Sequence, residues 1–233
     1  MYKNKKVSVV MPAYNESENI KAAVSDFQEQ SFVDEIIVIN NNSSDDTKKK
    51  AQESGAIVVD ETLQGYGYAC QRGLREAKGD YIVLVEPDGT FDANDIEKLL
   101  AYSNDFDFVI GTRTTKVMIW DGANMGIFLK WGNWAVAKLM EALYNGPSLT
   151  DVGCTYRLIK RDALEKIQDK FTVGGSHFSP VMMILALQSN ISMIEVPVNY
   201  KMRKGVSKIT GKNWPAFKLG LTMIKTILKM KFR

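Results

Sequence analysis

The chain has 233 residues, 45% of them hydrophobic and 24% charged, which excludes an intrinsically disordered protein and allows a full hydrophobic core. Its 30 basic and 27 acidic residues give a formal net charge of +3. The charge is unevenly distributed, because residues 197–233 contain ten basic residues and no acidic one. This segment predicts an anionic partner near the C-terminus.

The few cysteine and histidine residues limit which disulfides, metal sites and catalytic triads the chain could form. Cys70 and Cys154 are the only cysteines, and no signal-peptide pattern is present, so we expect reduced thiols in a cytoplasmic compartment. His177 is the only histidine, which excludes a multi-histidine metal site and argues against a Ser-His-Asp triad. No uncharged apolar run reaches the roughly 18 residues of a membrane-spanning helix.

The first half of the chain alternates between apolar runs and helical patterns. The runs predict buried strands at 7–11, 35–39, 56–59, 81–85 and 108–110. Helices are predicted between them, at 18–30, 45–53, 66–78 and 93–101. Pro12 is expected to end the first strand. This alternation predicts an α/β domain with a central, mostly parallel sheet flanked by helices.

Polar loops follow four of the predicted strands, at 12–16, 40–47, 86–90 and 111–113. In such sheets ligands bind at the carboxyl ends of the strands, so the four loops predict a ligand cleft. Glu86 and Asp88 could bind Mg²⁺ or Mn²⁺, which take few protein carboxylates and complete their shells with phosphate oxygens and water. The alternative is that Asp88 only caps a turn. Gly65 and Gly67 do not form a dinucleotide-binding fingerprint, because the third glycine is missing and the loop follows the wrong strand.

In chain order, these loops resemble the inverting family-2 glycosyltransferases with a GT-A (Rossmann-like) fold. They look most like the branch of dolichol-phosphate mannose synthase and the bacterial polyprenyl-phosphate sugar transferases. No single motif is decisive, but the ordered series is highly specific. It comprises 7–16, 39–47, Gly65-x-Gly67-x-Ala69, Gly73, 77–80, Glu86-Pro-Asp88, Gly111-Thr-Arg113, Gly132-Asn133, 151–157, 195–197 and Arg203-x-Gly205-x-Ser207-Lys208.

The resemblance implies a binding site for a nucleotide-sugar donor and a metal ion. Glu86 and Asp88 would be the metal ligands, with Asp88 favoured because Glu86 replaces the commoner Asp. The arginine and lysine of the last motif would close over the donor diphosphate and stabilise the charge that develops on it. Asn40 stands where the family usually has Asp. The implied donor-binding residues are Pro12, Tyr14, Glu16, Ile39, Asn40, Gly67, Pro87, Arg203 and Lys208.

The resemblance also implies an acceptor site, made by Arg113, Lys130, Asn133 and Arg157, and a catalytic set of Asp88, Arg113 and Asp151. A guanidinium binds phosphate bidentately, so Arg113 favours a polyprenyl or dolichyl phosphate as acceptor. Such a phosphate is already ionised, whereas a saccharide hydroxyl would need a general base. Asp151 is the candidate for that base, or it orients Arg157. Val181 stands where an acid is expected.

The predicted domain boundaries are 1–211 for the GT-A domain and 212–233 for a basic amphipathic helix. Within the domain, 1–112 would bind the nucleotide-sugar and 113–211 the acceptor. In the helix, a polar stripe of Lys218, Thr222, Lys225 and Lys229 is expected to lie opposite an apolar ridge of Phe217, Leu221, Ile224 and Leu228. This pattern predicts an interfacial helix that does not span the membrane. The alternative is a helix packed on the domain with its lysines in solvent.

The sequence thus predicts a metal-dependent, inverting transfer of a sugar from a UDP- or GDP-sugar to a polyprenyl phosphate, at the cytoplasmic face of a membrane. A close alternative is transfer to a saccharide hydroxyl in surface-polysaccharide synthesis. A sugar nucleotidyltransferase is disfavoured, because residues 12–16 are not a glycine-rich, arginine-containing loop. A non-catalytic sugar-nucleotide-binding protein is a further alternative. No motif predicts a nucleic-acid partner, and the oligomeric state is not predicted.

Overall fold

Seven strands form a single sheet in the computed structural model, which describes residues 1–123, 126–204 and 213–232. The order across the sheet is β3-β2-β1-β4-β6-β5-β7. All neighbouring strands are parallel except β6, which is antiparallel to both β4 and β5. The strands are β1 (Val7–Ala13), β2 (Glu35–Asn40), β3 (Ile57–Asp60), β4 (Tyr81–Leu84), β5 (Phe108–Thr112), β6 (Arg157–Lys160) and β7 (Met193–Pro197).

Helices cover both faces of the sheet, as predicted. One hydrophobic layer joins α1, α2 and α4 to one face, and a second joins α3, α5, α6, α7 and α8 to the other. The helices are α1 (Ile20–Gln28), α2 (Thr47–Glu53), α3 (Tyr66–Glu76), α4 (Ile96–Tyr102), α5 (Ile127–Tyr144), α6 (Arg161–Glu165), α7 (Phe178–Gln188) and α8 (Asn213–Lys231). The prediction of an α/β domain with a mostly parallel sheet is confirmed.

The first strand continues through Pro12, contrary to the prediction that Pro12 ends it. The N–H of Val85 donates to the carbonyl oxygen of Val10, so Val10 directs its backbone polar groups towards β4. Alternate residues of a strand share this direction, which places the missing N–H of Pro12 on the same side. Because β4 ends at Leu84, Pro12 forfeits no hydrogen bond of the ladder.

The C-terminal helix packs on the domain, but not in the predicted orientation. Met223 and Ile227 are buried against the core. Leu221 is 50% exposed and shares the solvent side with Lys225, because residues four apart lie on the same face of a helix. The prediction of a lysine stripe opposite Leu221 is therefore wrong. The exposed face mixes apolar side chains with lysines: Trp214, Phe217, Leu221, Leu228, Lys218, Lys225 and Lys229.

None of the helices among the described residues combines the length and apolarity needed to cross a membrane. The predicted division at residue 112 falls at the end of β5. Strands from both sides of this division pair in the same sheet, since β5 lies between β6 and β7.

Candidate active site

A cavity of about 480 Å³ lies at the carboxyl ends of three strands. Its wall includes Pro12, Tyr14 and Glu16, which follow or end β1. Beyond β4, Glu86, Pro87 and Asp88 contribute, and Arg113 contributes beyond β5. The predicted convergence of strand-end loops on one edge of the sheet therefore occurs.

The polar end of the cavity gathers three carboxylates around one guanidinium. Nη1 of Arg203 donates to Oδ2 of Asp88 at 2.7 Å, and Nη2 donates to Oε1 of Glu16 at 2.5 Å. The other oxygen of Asp88 accepts from the backbone N–H and hydroxyl of Thr90. Burial, together with the nearby charge of Asp88, raises the pKa of Glu86 to about 8. Arg203 thus neutralises the two carboxylates that it contacts, and a further cation beside Glu86 would favour its ionised form.

Arg203 is positioned by a segment that runs beside the loop after β4. The N–H of Lys201 donates to the carbonyl oxygen of Thr90 at 2.7 Å. The amide nitrogen of Asn19 donates both to Glu16, at 2.7 Å, and to the carbonyl oxygen of Lys204, at 3.0 Å. These hydrogen bonds hold the segment that carries Arg203 against the loops after β1 and β4. Lys208, the other predicted diphosphate-binding cation, lies outside the described residues.

Arg113 forms a buried, bidentate ion pair with Asp151. Nε donates to Oδ2 at 2.8 Å and Nη2 to Oδ1 at 2.9 Å. Burial alone would lower the pKa of Arg113, but the Asp151 carboxylate more than offsets this and the pKa lies well above its usual value. The guanidinium also lies over the Tyr200 ring, 5.2 Å from its centroid. Arg113 is therefore a permanently charged, oriented donor in the cavity wall.

Asp151 does not orient Arg157, so that prediction is wrong. Arg157 is 1% exposed, and its guanidinium donates to the carbonyl oxygens of Val152, Cys154 and Ser179. Burial lowers its pKa. Because these bonds fix the backbone that carries part of the cavity wall, the structure gives Arg157 a supporting position and not the predicted contact with acceptor.

Several other predicted site residues are not among the described residues of the cavity wall. Ile39 is fully buried in the core. Asn40 donates to Asp60 at 2.8 Å, at the ends of β2 and β3. Gly67 packs against the loop after residue 172, where a Cβ would come within 2.3 Å of the Val173 carbonyl oxygen. Lys130 is half-buried on α5 and is not among the described residues of the cavity wall, whereas Asn133 is.

Sequence reasoning missed two features of the cavity. Tyr200 contributes its ring beside Arg113, and its only sequence signal was its place shortly after the 195–197 motif. The apolar wall comes from α5 and α8, including Val136, Gly220 and Met223. The helical pattern of α8 predicts a membrane contact or a helix packed on the domain, and neither prediction includes a side that faces a cavity.

The Glu86 and Asp88 carboxylates are chemically suited to bind a divalent cation. Glu86 and Asp88 offer oxygen ligands, and a divalent cation beside them would favour the ionised form of Glu86, whose pKa is raised by burial and by the charge of Asp88. Among the described residues, no group of three or more Asp, Glu, His or Cys side chains has the arrangement of a metal cage. An ion bound here would therefore depend on ligands from the donor phosphates, as is usual for Mg²⁺.

The fold is shared with a solved structure. Glucosyl-3-phosphoglycerate synthase from Mycobacterium tuberculosis, in complex with Mn²⁺, UDP and glucosyl-3-phosphoglycerate, superposes with a TM-score of 0.74. The alignment covers 98% of this chain and 80% of that one, at 19% identity. This similarity confirms the predicted GT-A fold.

Two relatives from Haloferax volcanii are similar in sequence. "Low-salt glycan biosynthesis hexosyltransferase Agl6" is 31% identical over 212 residues, which are 87% of this chain and 49% of the relative, so the chain spans about half of that protein. "Dolichyl-phosphate hexose transferase" is 27% identical over 228 residues, 97% of this chain and 96% of the relative. The sequence profile "Glycosyl transferase family 2" matches residues 8–168, and the chain belongs to this family of glycosyltransferases.

Proposed function

We propose that the protein transfers a sugar from a nucleotide-sugar to a polyprenyl or dolichyl phosphate at a membrane surface, with inversion at the anomeric carbon and with Mg²⁺ or Mn²⁺. The observation that carries this proposal is the two-part cavity. One end holds Asp88, Arg113 and Arg203, and the rest is walled by apolar residues of α5 and α8. A lipid phosphate has the same division between a charged head and a hydrocarbon chain.

At the charged end, the chain offers groups suited to a donor diphosphate. Arg203 can exchange its two carboxylate partners for phosphate oxygens, because a guanidinium donates to carboxylate and phosphate oxygens alike. The leaving diphosphate gains negative charge in the transition state, and a cation fixed beside it lowers the barrier. A divalent metal held by Glu86 and Asp88 would supply further charge stabilisation at the same phosphates.

The engagement of Asp151 supports a phosphate acceptor over a saccharide hydroxyl. Both of its oxygens bind Arg113, and Oδ1 also accepts from the N–H of Gly153 at 3.0 Å. A general base for a hydroxyl needs a lone pair directed at the substrate. A lipid phosphate needs no base, and Arg113 beside it would orient the attacking oxygen. The relative named "Dolichyl-phosphate hexose transferase", aligned over 96% of its length, supports this acceptor.

The exposed face of α8 supports an action at a membrane surface. Trp214 is 69% exposed and stacks on Phe217. Trp131 of α5 is 61% exposed and contacts Trp134 edge-on. Exposed tryptophans beside lysines suit the boundary between lipid headgroups and acyl chains.

The test is transfer of radiolabelled hexose from UDP- and GDP-sugars to undecaprenyl phosphate in detergent, with Mn²⁺, Mg²⁺ or EDTA. We expect one donor to label the lipid in a metal-dependent reaction. Asp88→Asn is expected to lower kcat/KM on the order of a hundredfold, since it removes a carboxylate ligand of the metal ion that would stabilise the leaving phosphate.

The control is Asp92→Asn, which changes a carboxylate that pairs with Lys201 away from the cavity wall. We expect its rate to stay within about twofold of wild type. Labelling that is unaffected by EDTA would contradict the metal requirement. Labelling of added saccharides and never of the lipid would favour the hydroxyl acceptor.

A further inference from the structure

The apolar part of the cavity lies between two helices. The wall residues include, on each helix, a set at the three- and four-residue spacing of one helix face. These sets are Leu129, Gly132 and Val136 on α5, and Ala216, Gly220 and Met223 on α8. The cavity is therefore bounded by two facing helical surfaces.

The same two helices are joined at their other ends. The hydroxyl of Tyr144 donates to the carbonyl oxygen of Ile227 at 2.9 Å, and Met140 and Ile227 are fully buried. Nζ of Lys231 also lies 5.3 Å from the centroid of the Tyr144 ring. The space between the helices is thus filled at their C-terminal ends and hollow towards their N-terminal ends.

Gly132 and Gly220 face the apolar part of the cavity, the open space between the N-terminal halves of the two helices. A Cβ built on either would meet no described atom within 4 Å outside its own helix backbone and its chain neighbours. Other helical glycines of this chain are needed for packing: a Cβ on Gly73 would lie 2.2 Å from Val10. Glycine inside a helix weakens it relative to alanine. These two glycines carry that penalty where packing does not require it.

The hollow connects two chemically different regions. At one end its wall includes Arg113 and Arg203. At the other it includes Phe217 and Leu221, which are 45% and 50% exposed on the solvent face of α8. A molecule lying along it would have its charged end at the arginines and its other end at an exposed apolar surface.

We infer that Gly132 and Gly220 hold open a passage for the isoprenoid chain of the acceptor, and that they determine specificity for long-chain lipid phosphates. This inference rests on the proposed lipid-phosphate acceptor. A hydrocarbon chain fits the apolar wall, whereas a glycan or peptide would need polar partners along it. The lysines beside the mouth, Lys218 and Lys225, match anionic headgroups around the emerging chain.

The test is Gly220→Leu, which adds bulk to the passage without touching the charged end. Transfer to undecaprenyl phosphate is compared with transfer to dimethylallyl phosphate, whose single isoprene unit ends near the phosphate. We expect kcat/KM for the long acceptor to fall at least about tenfold and that for the short acceptor to stay within about twofold. Thr222→Leu adds a leucine to the exposed side of the same helix and should change neither.

Folding of the variants is checked by thermal unfolding, with Gly220→Ala as a reference that should match or exceed the wild-type Tm. A second readout needs no catalysis: farnesyl phosphate should raise the Tm of wild type more than inorganic phosphate does, and Gly220→Leu should abolish the difference.

If Gly220→Leu lowers kcat/KM equally for both acceptors, or does not lower it for the long one, the inference of a passage is refuted. A wild-type protein that labels neither lipid phosphate, while still stabilised by a nucleotide-sugar, would instead refute the proposed acceptor and the passage with it.

Discussion

At the scale of single residues, two arginines show how burial and hydrogen-bond partners determine whether a guanidinium can bind an anion or supports the fold. Arg113 is paired with a carboxylate, which keeps it charged while it contributes to the cavity wall. Among the described residues, Arg157 has only backbone carbonyls as hydrogen-bond partners, and it is almost completely buried. The first is suited to bind an anion, and the second ties together the loop after Asp151 and the start of α7.

Arg157→Met should destabilise the fold. The change leaves the carbonyl oxygens of Val152, Cys154 and Ser179 buried without this donor, which we expect to lower the free energy of unfolding by about 3 kcal/mol. Urea denaturation measures the loss. Arg72→Met is the control, because Arg72 makes an exposed pair with Glu76 and should change stability by less than about 0.5 kcal/mol. Equal stabilities of the two variants would exclude this supporting role.

At the scale of elements, the sequence predicted the strands that carry continuous apolar runs, β1 to β5, and missed two others. β6 is only four residues long with a cation at each end, and β7 contains Glu195, so neither has the pattern of a buried strand. Helix α7 is buried along most of its length and therefore shows no amphipathic period. Its Val181, where an acid was expected, is a core residue.

The exposed face of α8 should bind anionic membranes. Trp214 and Leu228 are exposed and lie outside the cavity wall, so Trp214→Ser with Leu228→Ser removes apolar contact area and leaves every residue of the cavity wall in place. We expect the double variant to lose flotation with phosphatidylglycerol vesicles and wild type to lose it only at high salt. Ile57→Ser with Leu63→Ser, two exposed apolar positions elsewhere, is the control. Flotation of every variant alike would contradict a role for α8.

At the scale of the whole molecule, the candidate site depends on tertiary contacts that single motifs do not reveal. The loops after β1 and β4 could be assigned to one edge of the sheet from strand alternation alone. That Arg203 joins Glu16 to Asp88, across most of the chain, follows from the path of residues 198–204 beside Thr90. The hollow between α5 and α8 is likewise a property of two packed helices, which periodicity in one helix does not predict.

Arg203 should stabilise the ligand-free protein as the counter-ion of the carboxylate cluster. Arg203→Gln leaves Glu16, Glu86 and Asp88 less well neutralised, and we expect a loss of roughly 1–2 kcal/mol, or a few degrees in Tm. Mn²⁺ should then raise the Tm of the variant more than that of wild type, because the cation replaces the lost charge. Lys201→Gln, which removes a cation from the same segment, serves as control. Equal Mn²⁺ shifts in all three proteins would refute this account.

The antiparallel strand β6 has a consequence for the order of assembly during synthesis. β5 is made before both of its neighbours, β6 and β7, and β4 lacks its second partner until β6 emerges. A ribosome that has passed β5 has therefore produced a four-stranded unit with an open apolar edge, followed by a strand that cannot yet pair. Emergence of residues 157–160 closes that edge and recruits β5 at once. The nascent chain is most prone to aggregate in the interval between these two events, and a chaperone that covers β4 would act there.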